Sequence, residues 1–410
     1  DTHYGQGVTA ADFNQDGFTD LIVANIGPNV FYRNNGDGSF TQVSLPDWSD
    51  KDHWTSQIAC ADISGDSLVE LVECNYIDDP RAQKIRCTVS EQLCAPAKFK
   101  PSANRVLMGQ PDSTFSAWTD GPPMNQAASY SLGVIACNLD ELNGNDVFVA
   151  NDTLENTLWI SRRINHSEES RSNFSLVEQA RLRGCATGSL GELQGCMGIA
   201  TGDFDHNGRI DLYVTNYYNE PSNLYLQQDA GLFIDGASLY SARESSVTKV
   251  GFGTQATDLD GDGWLDLVVL NGHAVDRRDK GEPLEMTPQI YQGRRGMMKE
   301  TEPIEPYWKT PTRGRTLARW DFNRDGRMDF LANHLDHPVA VLENDSVTEN
   351  WVQLELVGTQ SERDATGCKV TVECGDRSWV SWVTAGDGYF CTHEPVMHVG
   401  IDQSAEIDRI

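Results

Sequence analysis

With 410 residues, 39% of them hydrophobic and 9% aromatic, the chain has enough apolar material for a large core, which excludes wholesale disorder. Its 61 acidic against 32 basic residues give a formal charge of -29. That balance argues against nucleic acid and anionic membrane as partners, since both require a cationic face. No stretch approaches the roughly 18 apolar residues of a spanning helix, so no membrane insertion is expected. An Asp start without an apolar leader fits a mature, processed or trimmed chain, and the expectation is an exported protein that is secreted, periplasmic or held at the cell surface.

The first element is a run of small and apolar residues from Gly7 to Ala11, read as a strand, followed by the acidic loop Asp12-Phe-Asn14-Gln-Asp16-Gly17-Phe18-Thr-Asp20 and a β-rich run that closes on Asn25. A third strand follows from Asn29. The block recurs from Asp62, Asn138, Asp203, Asp258 and Asp321, closing on Asn75, Asn151, Asn216, Asn271 and Asn333. Starts are separated by 50, 76, 65, 55 and 63 residues. Strand, tight acidic loop, strand, turn and strand at this spacing predict four-stranded blades, and so an all-β, calcium-binding β-propeller. Six blades are countable, and a seventh without a loop would find room only within residues 76–135. A parallel βαβ fold would need helical periodicity between the strands, which the sequence lacks. The propeller is expected to run over residues 1–347.

Four loops carry the full pattern: Asp12, Asn14, Asp16 and Asp20; Asp203, Asp205, Asn207 and Asp211; Asp258, Asp260, Asp262 and Asp266; Asp321, Asn323, Asp325 and Asp329. Oxygen side chains at positions one, three and five can turn inward around one hard cation, and the ninth-position acid can close the shell. The seventh residue, Phe18, Arg209, Trp264 or Arg327, would offer its carbonyl. Position six is glycine, which supplies the left-handed backbone of the turn without strain. Calcium at these sites is expected to be structural. In the second copy Asp62, Ser64, Asp66 and Glu70 keep the oxygens, but Ser67 replaces glycine and leaves calcium there open. The third copy carries Leu142 at position five and Asn143 at the turn, and because Leu cannot ligate, that loop is expected to be empty.

Ten cysteines without a Cys-x-x-Cys pair favour disulfides over a zinc or redox site, with the close pairs Cys87–Cys94 and Cys185–Cys196, both in loop-like sequence, as the expected bridges and the others read as small buried hydrophobes. Gly65-Asp66-Ser67-Leu68 spells a hydrolase motif but lies inside the second loop. His393-Glu394-Pro395-Val-Met-His398 is one residue too long for a zinc-protease helix, and Pro395 would break it. His273 is read as a turn lock, Trp48, Trp54 and Trp118 as packed aromatics or sugar platforms, and Asn151, Asn165, Asn173 and Asn344 as glycosylation sequons.

The blade signature resembles FG-GAP/VCBS repeats, also found in integrin α-subunit heads. Asn271-Gly272-His273 and the tail from Trp351 to Ile401 resemble, respectively, an element of the bacterial relatives of cartilage acidic protein and the UnbV/ASPIC domain that follows their propeller. The resemblance implies a small β module over residues 348–410 after the propeller, although the tail departs from that pattern at Glu362–Gly367. The function expected is a non-enzymatic, secreted or cell-surface scaffold for an extracellular protein or glycan, in adhesion or self-assembly. The long insertions at residues 76–103 and 161–196 would be its recognition loops. The alternative is an extracellular polysaccharide hydrolase or lyase using carboxylates around a central channel.

Overall fold

A computed structural model describes residues 4–43, 53–82, 84–85, 94–118, 123–142, 144–163, 174–229, 231–295, 297–302 and 305–410. Six antiparallel sheets follow one another along the chain. The first consists of Tyr4–Ala11, Asp20–Ile26, Val30–Asn34 and Phe40–Val43, and the fifth of Gly251–Thr257, Asp266–Asn271, Gln289–Arg294 and Met297–Glu300. The sixth has three strands, Gly314–Trp320, Asp329–His334 and Ala340–Leu342. Six blades therefore form the propeller. The described residues within 76–135 hold the last two strands of blade 2, two 3₁₀ turns, a two-stranded ribbon of Ser102–Ala103 with Ala128–Ser129 and the start of blade 3, not a seventh blade.

The second strands of blades 2, 3 and 5 are buried at every position because both of their faces pack against neighbouring blades, and they accordingly read as apolar runs rather than alternating ones. The core consists of wedges between blades. Phe13, Phe31, Ile58, Leu71 and Phe115 fill the space between blades 1 and 2, while Val268, Leu270, Leu317 and Phe330 fill that between blades 5 and 6. At about 25 cal/mol per Å² of apolar surface, such wedges provide the main cohesion of the disc.

The closing Asn of each block also has a physical reason. Its side-chain amide donates across the turn to a backbone carbonyl, from Asn25 to Pro28 at 2.9 Å, Asn75 to Ala103 at 3.1 Å, Asn151 to Glu155 at 2.7 Å, Asn216 to Pro221 at 2.7 Å and Asn271 to Thr287 at 3.0 Å. In the sixth blade the register places His334 rather than Asn333 in this position, opposite Gly314, and its Nδ1 lies 3.0 Å from the Pro338 carbonyl. Asn151 is fully buried and committed to its turn, so its sequon is inaccessible to glycosylation.

The expected Cys185–Cys196 disulfide is absent. Both residues are free thiols packed in the core between blades 3 and 4, where burial pushes their pKa up and disfavours the reactive thiolate. Cys87 lies outside the described residues, as do Trp48, Asn143, Asn165 and Asn173. Trp54 packs edge-on against Tyr76, and Trp118 stacks on Phe174 at 4.3 Å, so both act as packing groups.

The tail pairs Asn350–Leu354 with Met397–Asp402 and Lys369–Cys374 with Arg377–Trp382 around its own small core. Between these pairs it sends residues 384–394 into the centre of the disc. There Ala385 pairs with Ala136 of blade 3 and Gly388 with Ile199 of blade 4, Gln57 of blade 2 donates to the Gly386 carbonyl, and Gln255 of blade 5 meets His393. Blades 1 and 6 are joined through the same segment. The Val8 and Ala10 amides donate to the Phe390 carbonyl and the Thr392 hydroxyl, while the Arg319 amide donates to His393 Nδ1. Burial alone would raise the Asp387 pKa, but His393 beside it, at 3.2 Å, holds it below the usual range.

Candidate metal centres

Each acidic loop joins the first and second strands of its blade, so all six lie at one end of the disc. Position six is left-handed throughout the described loops, at Gly17, Ser67, Gly208, Gly263 and Gly326. Ser67, with φ 70°, takes the glycine conformation despite its Cβ, so the second loop keeps the common shape. Position four is left-handed too, and there the residue is often not glycine: Gln15, Glu141, His206 and Arg324 have φ of 57°, 61°, 56° and 60°. No sequence pattern announces that strain, which persists only because the surrounding hydrogen bonds over-determine it.

Those bonds converge on the first residue. Asp203 accepts the Asn207 and Gly208 amides at 2.9 Å each, and Asp321 those of Asp325 and Gly326 at 3.0 and 2.9 Å. The ninth-position acid braces three strands. Asp211 accepts from the Phe204 amide at 2.9 Å and from Gln227 on the third strand at 2.8 Å, and Asp266, Asp329 and Asp146 repeat the arrangement. Asp20 receives the Asn34 amide at 2.7 Å.

Carboxylate oxygens of Asp203, Asp205 and Asp211 lie within 4.8 Å of one another, as do those of Asp258, Asp260 and Asp262. Burial raises the pKa of Asp203 to about 6 and of Asp258 to about 7, and the neighbouring carboxylates add to the rise. Crowded, desolvated anions of this kind fit a divalent cation with oxygen ligands, supplying the charge the protein lacks there. The other complete loops carry Asn rather than Asp at position three. In the first, Asn14 donates to Asp16 at 2.9 Å and Arg363 stands 3.3 Å from Asp12; in the sixth, Asn323 donates to Asp325 at 3.0 Å and Arg327 pairs with the same carboxylate. In the second loop Glu70 reaches back to the Ile63 and Ser64 amides at 3.0 Å each, and Asp62 accepts from Gly65, Asp66 and Ser67. The third loop has its own cation: the guanidinium groups of Arg162 and Arg183 both pair with Asp140, where calcium would sit in a complete loop. That arrangement explains how a loop with Leu142 at position five keeps its fold.

Residues that the repeat did not point to complete the site, because they come from the tail. Asp364 accepts the Asp12 amide at 2.9 Å, Gln360 accepts Ser67 Oγ at 2.8 Å, and Thr366 accepts Asn145 Nδ2 at 3.1 Å. Lys369 donates to the Gly208 carbonyl at 2.6 Å, the Asp402 amide to Gly261 at 3.0 Å, and His398 to Gly326 at 2.8 Å. Trp379 packs over Gly263. Thus all six loops touch the module, and Glu394 and His398, tested for zinc-protease chemistry in the sequence, serve this seat instead, Glu394 accepting the Asp321 amide at 3.1 Å. His273 is fully buried, with Nε2 at 2.9 Å from Glu282 and Nδ1 accepting the Val275 amide, which makes it a turn lock.

Comparison with known proteins gives two families. One, described as FG-GAP-like repeat, matches residues 12–72, 203–269 and 258–332, and the other, described as ASPIC and UnbV, matches residues 358–410; together they span more than half of the chain. Cartilage acidic protein 1 of Mus musculus is 29% identical over 236 residues, 52% of this chain and 33% of the relative. The Xenopus tropicalis protein is 24% identical over 310 residues, 70% and 40% of the two chains. The chain thus spans well under half the length of the curated relatives it matches. Among solved structures, an Agrocybe aegerita lectin specific for non-reducing terminal N-acetylglucosamine aligns at a TM-score of 0.44, with 13% identity, over 84% of this chain and 81% of that one. The BP39L lectin of Burkholderia pseudomallei aligns at 0.43, with 12% identity, over 94% and 98%.

Proposed function

Because the chain belongs to the FG-GAP-like repeat propellers that end in an ASPIC and UnbV domain, we propose that it is a calcium-braced, non-enzymatic scaffold exported to the cell surface or beyond, where it binds an extracellular protein or glycan or assembles with itself. The observation that carries this reading is the filled centre of the disc: residues 384–394 occupy the channel in which a propeller enzyme would gather its catalytic carboxylates. The cavities between disc and module, about 60 and 110 Å³, are too small for a sugar chain. Recognition is then left to the rim and to the end opposite the loops. A groove of about 370 Å³ lies there between blades 2 and 3, bordered by Trp159 and by Arg181 and Leu193 of the 161–196 insertion.

One arrangement favours the alternative of a polysaccharide-active enzyme. Asp152 of blade 3 and Glu220 of blade 4 meet at Gly195, with the Glu220 carboxylate accepting its amide at 2.6 Å, and burial raises both acids, Asp152 to about 6. Tyr76 donates to Asp152 at 2.6 Å. A glycan array and a depolymerisation assay on a polysaccharide panel, both at 1 mM calcium, separate the two readings. Binding without chain shortening supports the scaffold, and shortening that Asp152→Asn abolishes supports the enzyme.

A further inference from the structure

The loops and the module meet at every blade, and at three of them the module donates to the backbone of the loop. Lys369, the Asp402 amide and His398 each donate to a carbonyl of a loop's left-handed turn, at Gly208, Gly261 and Gly326. A carbonyl there points at the module only while the loop holds its turn. The same turn gathers the carboxylates that fit a divalent cation. The module in turn holds residues 384–394, which hydrogen-bond to blades 1 and 6 on either side and fill the centre between them.

We propose that calcium in the blade loops seats the C-terminal module, so that withdrawing the metal releases the central segment and opens the seam between blades 6 and 1 before the blades themselves unfold. The inference rests on the calcium reading above. Its physical basis is linkage: a ligand that favours one loop conformation favours whatever else binds that conformation, and the coupling is reciprocal. Five of the blade interfaces have apolar wedges built from buried blade residues, with only Trp382 and Ala385 of the module packed against two of them, whereas the seam is bridged by the central segment.

Hydrogen exchange on the full chain tests this, with calcium alone as the probe at 1 mM against EDTA. The Ala385 and Gly388 amides, bonded to Ala136 and Ile199, should exchange at least about tenfold faster in EDTA, while the strands Asp211–Val214 and Asp266–Asn271 keep their protection. Unchanged protection of the central segment with metal confirmed absent overturns the proposal, as does simultaneous loss in segment and blades. Equilibrium dialysis separates the two levels. Absence of millimolar binding removes the calcium reading and this inference together, whereas binding without a change at residues 384–394 removes only the inference. Reciprocity adds a second test. Lys369→Met, at a partly exposed residue that is no ligand, and His398→Ala should each weaken calcium binding roughly fivefold. Unaltered affinity in both folded variants would overturn the coupling.

Discussion

Replacing Gly208 and Gly263 by alanine, one at a time, separates the two demands the structure makes on the sixth loop position. Both glycines are left-handed, at φ 78° and 87°. A Cβ at Gly208 meets nothing within 4 Å, so Gly208→Ala adds only the left-handed strain of an L-residue, about 1–2 kcal/mol, partly offset by roughly 0.4–1 kcal/mol of lost unfolded-state freedom. A net loss of about 1 kcal/mol follows. A Cβ at Gly263 would lie 2.3 Å from Trp379 Nε1, and Trp379 is 9% exposed. The indole must move out of its packing, which adds about 1–3 kcal/mol. Urea unfolding followed by tryptophan fluorescence, at saturating calcium, reads both. Gly263→Ala should lie about 1–3 kcal/mol below Gly208→Ala, and its indole emission should shift red. Equal losses would refute the packing of the module on the fifth loop, and no loss at Gly208 would refute the requirement for a left-handed turn.

Chelation should lower the melting temperature, because a site occupied at ten times its dissociation constant contributes about 1.4 kcal/mol by mass action; an unchanged melt with metal verified absent contradicts calcium bracing. Calcium stoichiometry by native mass spectrometry should be the same in Asp140→Asn as in the parent, since Arg162 and Arg183 already neutralise that loop, and one ion fewer would show that the third loop binds after all. Asp152 has a folded pKa raised from 3.8 to about 6, so its ionisation destabilises the fold as pH rises from 4 through 6, and the penalty is absent below about pH 4. Asp152→Asn should therefore gain up to about 3 kcal/mol at pH 8 and nothing at pH 4 in urea titrations, with no gain at pH 8 as the adverse result. Cys185 and Cys196 should resist alkylation until denaturant is added, and modification in the folded protein would contradict their burial as free thiols.

The repeat itself was legible because its chemistry is local. Oxygens at positions one, three, five and nine, a glycine at six and a turn-closing Asn all act within one loop and its two strands, so Asp203–Asp211 and Asn216 carry their roles in plain view. The same local reasoning foresaw the altered third loop from Leu142, but not the arginines that settle its charge, because Arg183 reaches Asp140 across 43 residues of chain. Local spacing also misled where three-dimensional register decides: Cys185 and Cys196 are near in sequence yet remain separate thiols, and His334 replaces Asn333 at the last turn.

What composition and periodicity determined was the blade and its acidic loop, while the choice between six blades and seven waited for the structure. What only the tertiary structure decided was the use of the tail, since hydrogen bonds such as Asp12 to Asp364 and Gln57 to Gly386 join residues more than 300 positions apart. A repeat encodes how each blade binds its successor, because that interface recurs. The contact that joins the last blade to the first occurs once, and here it is made by residues 390–394 of a different module, which no periodic signal can announce.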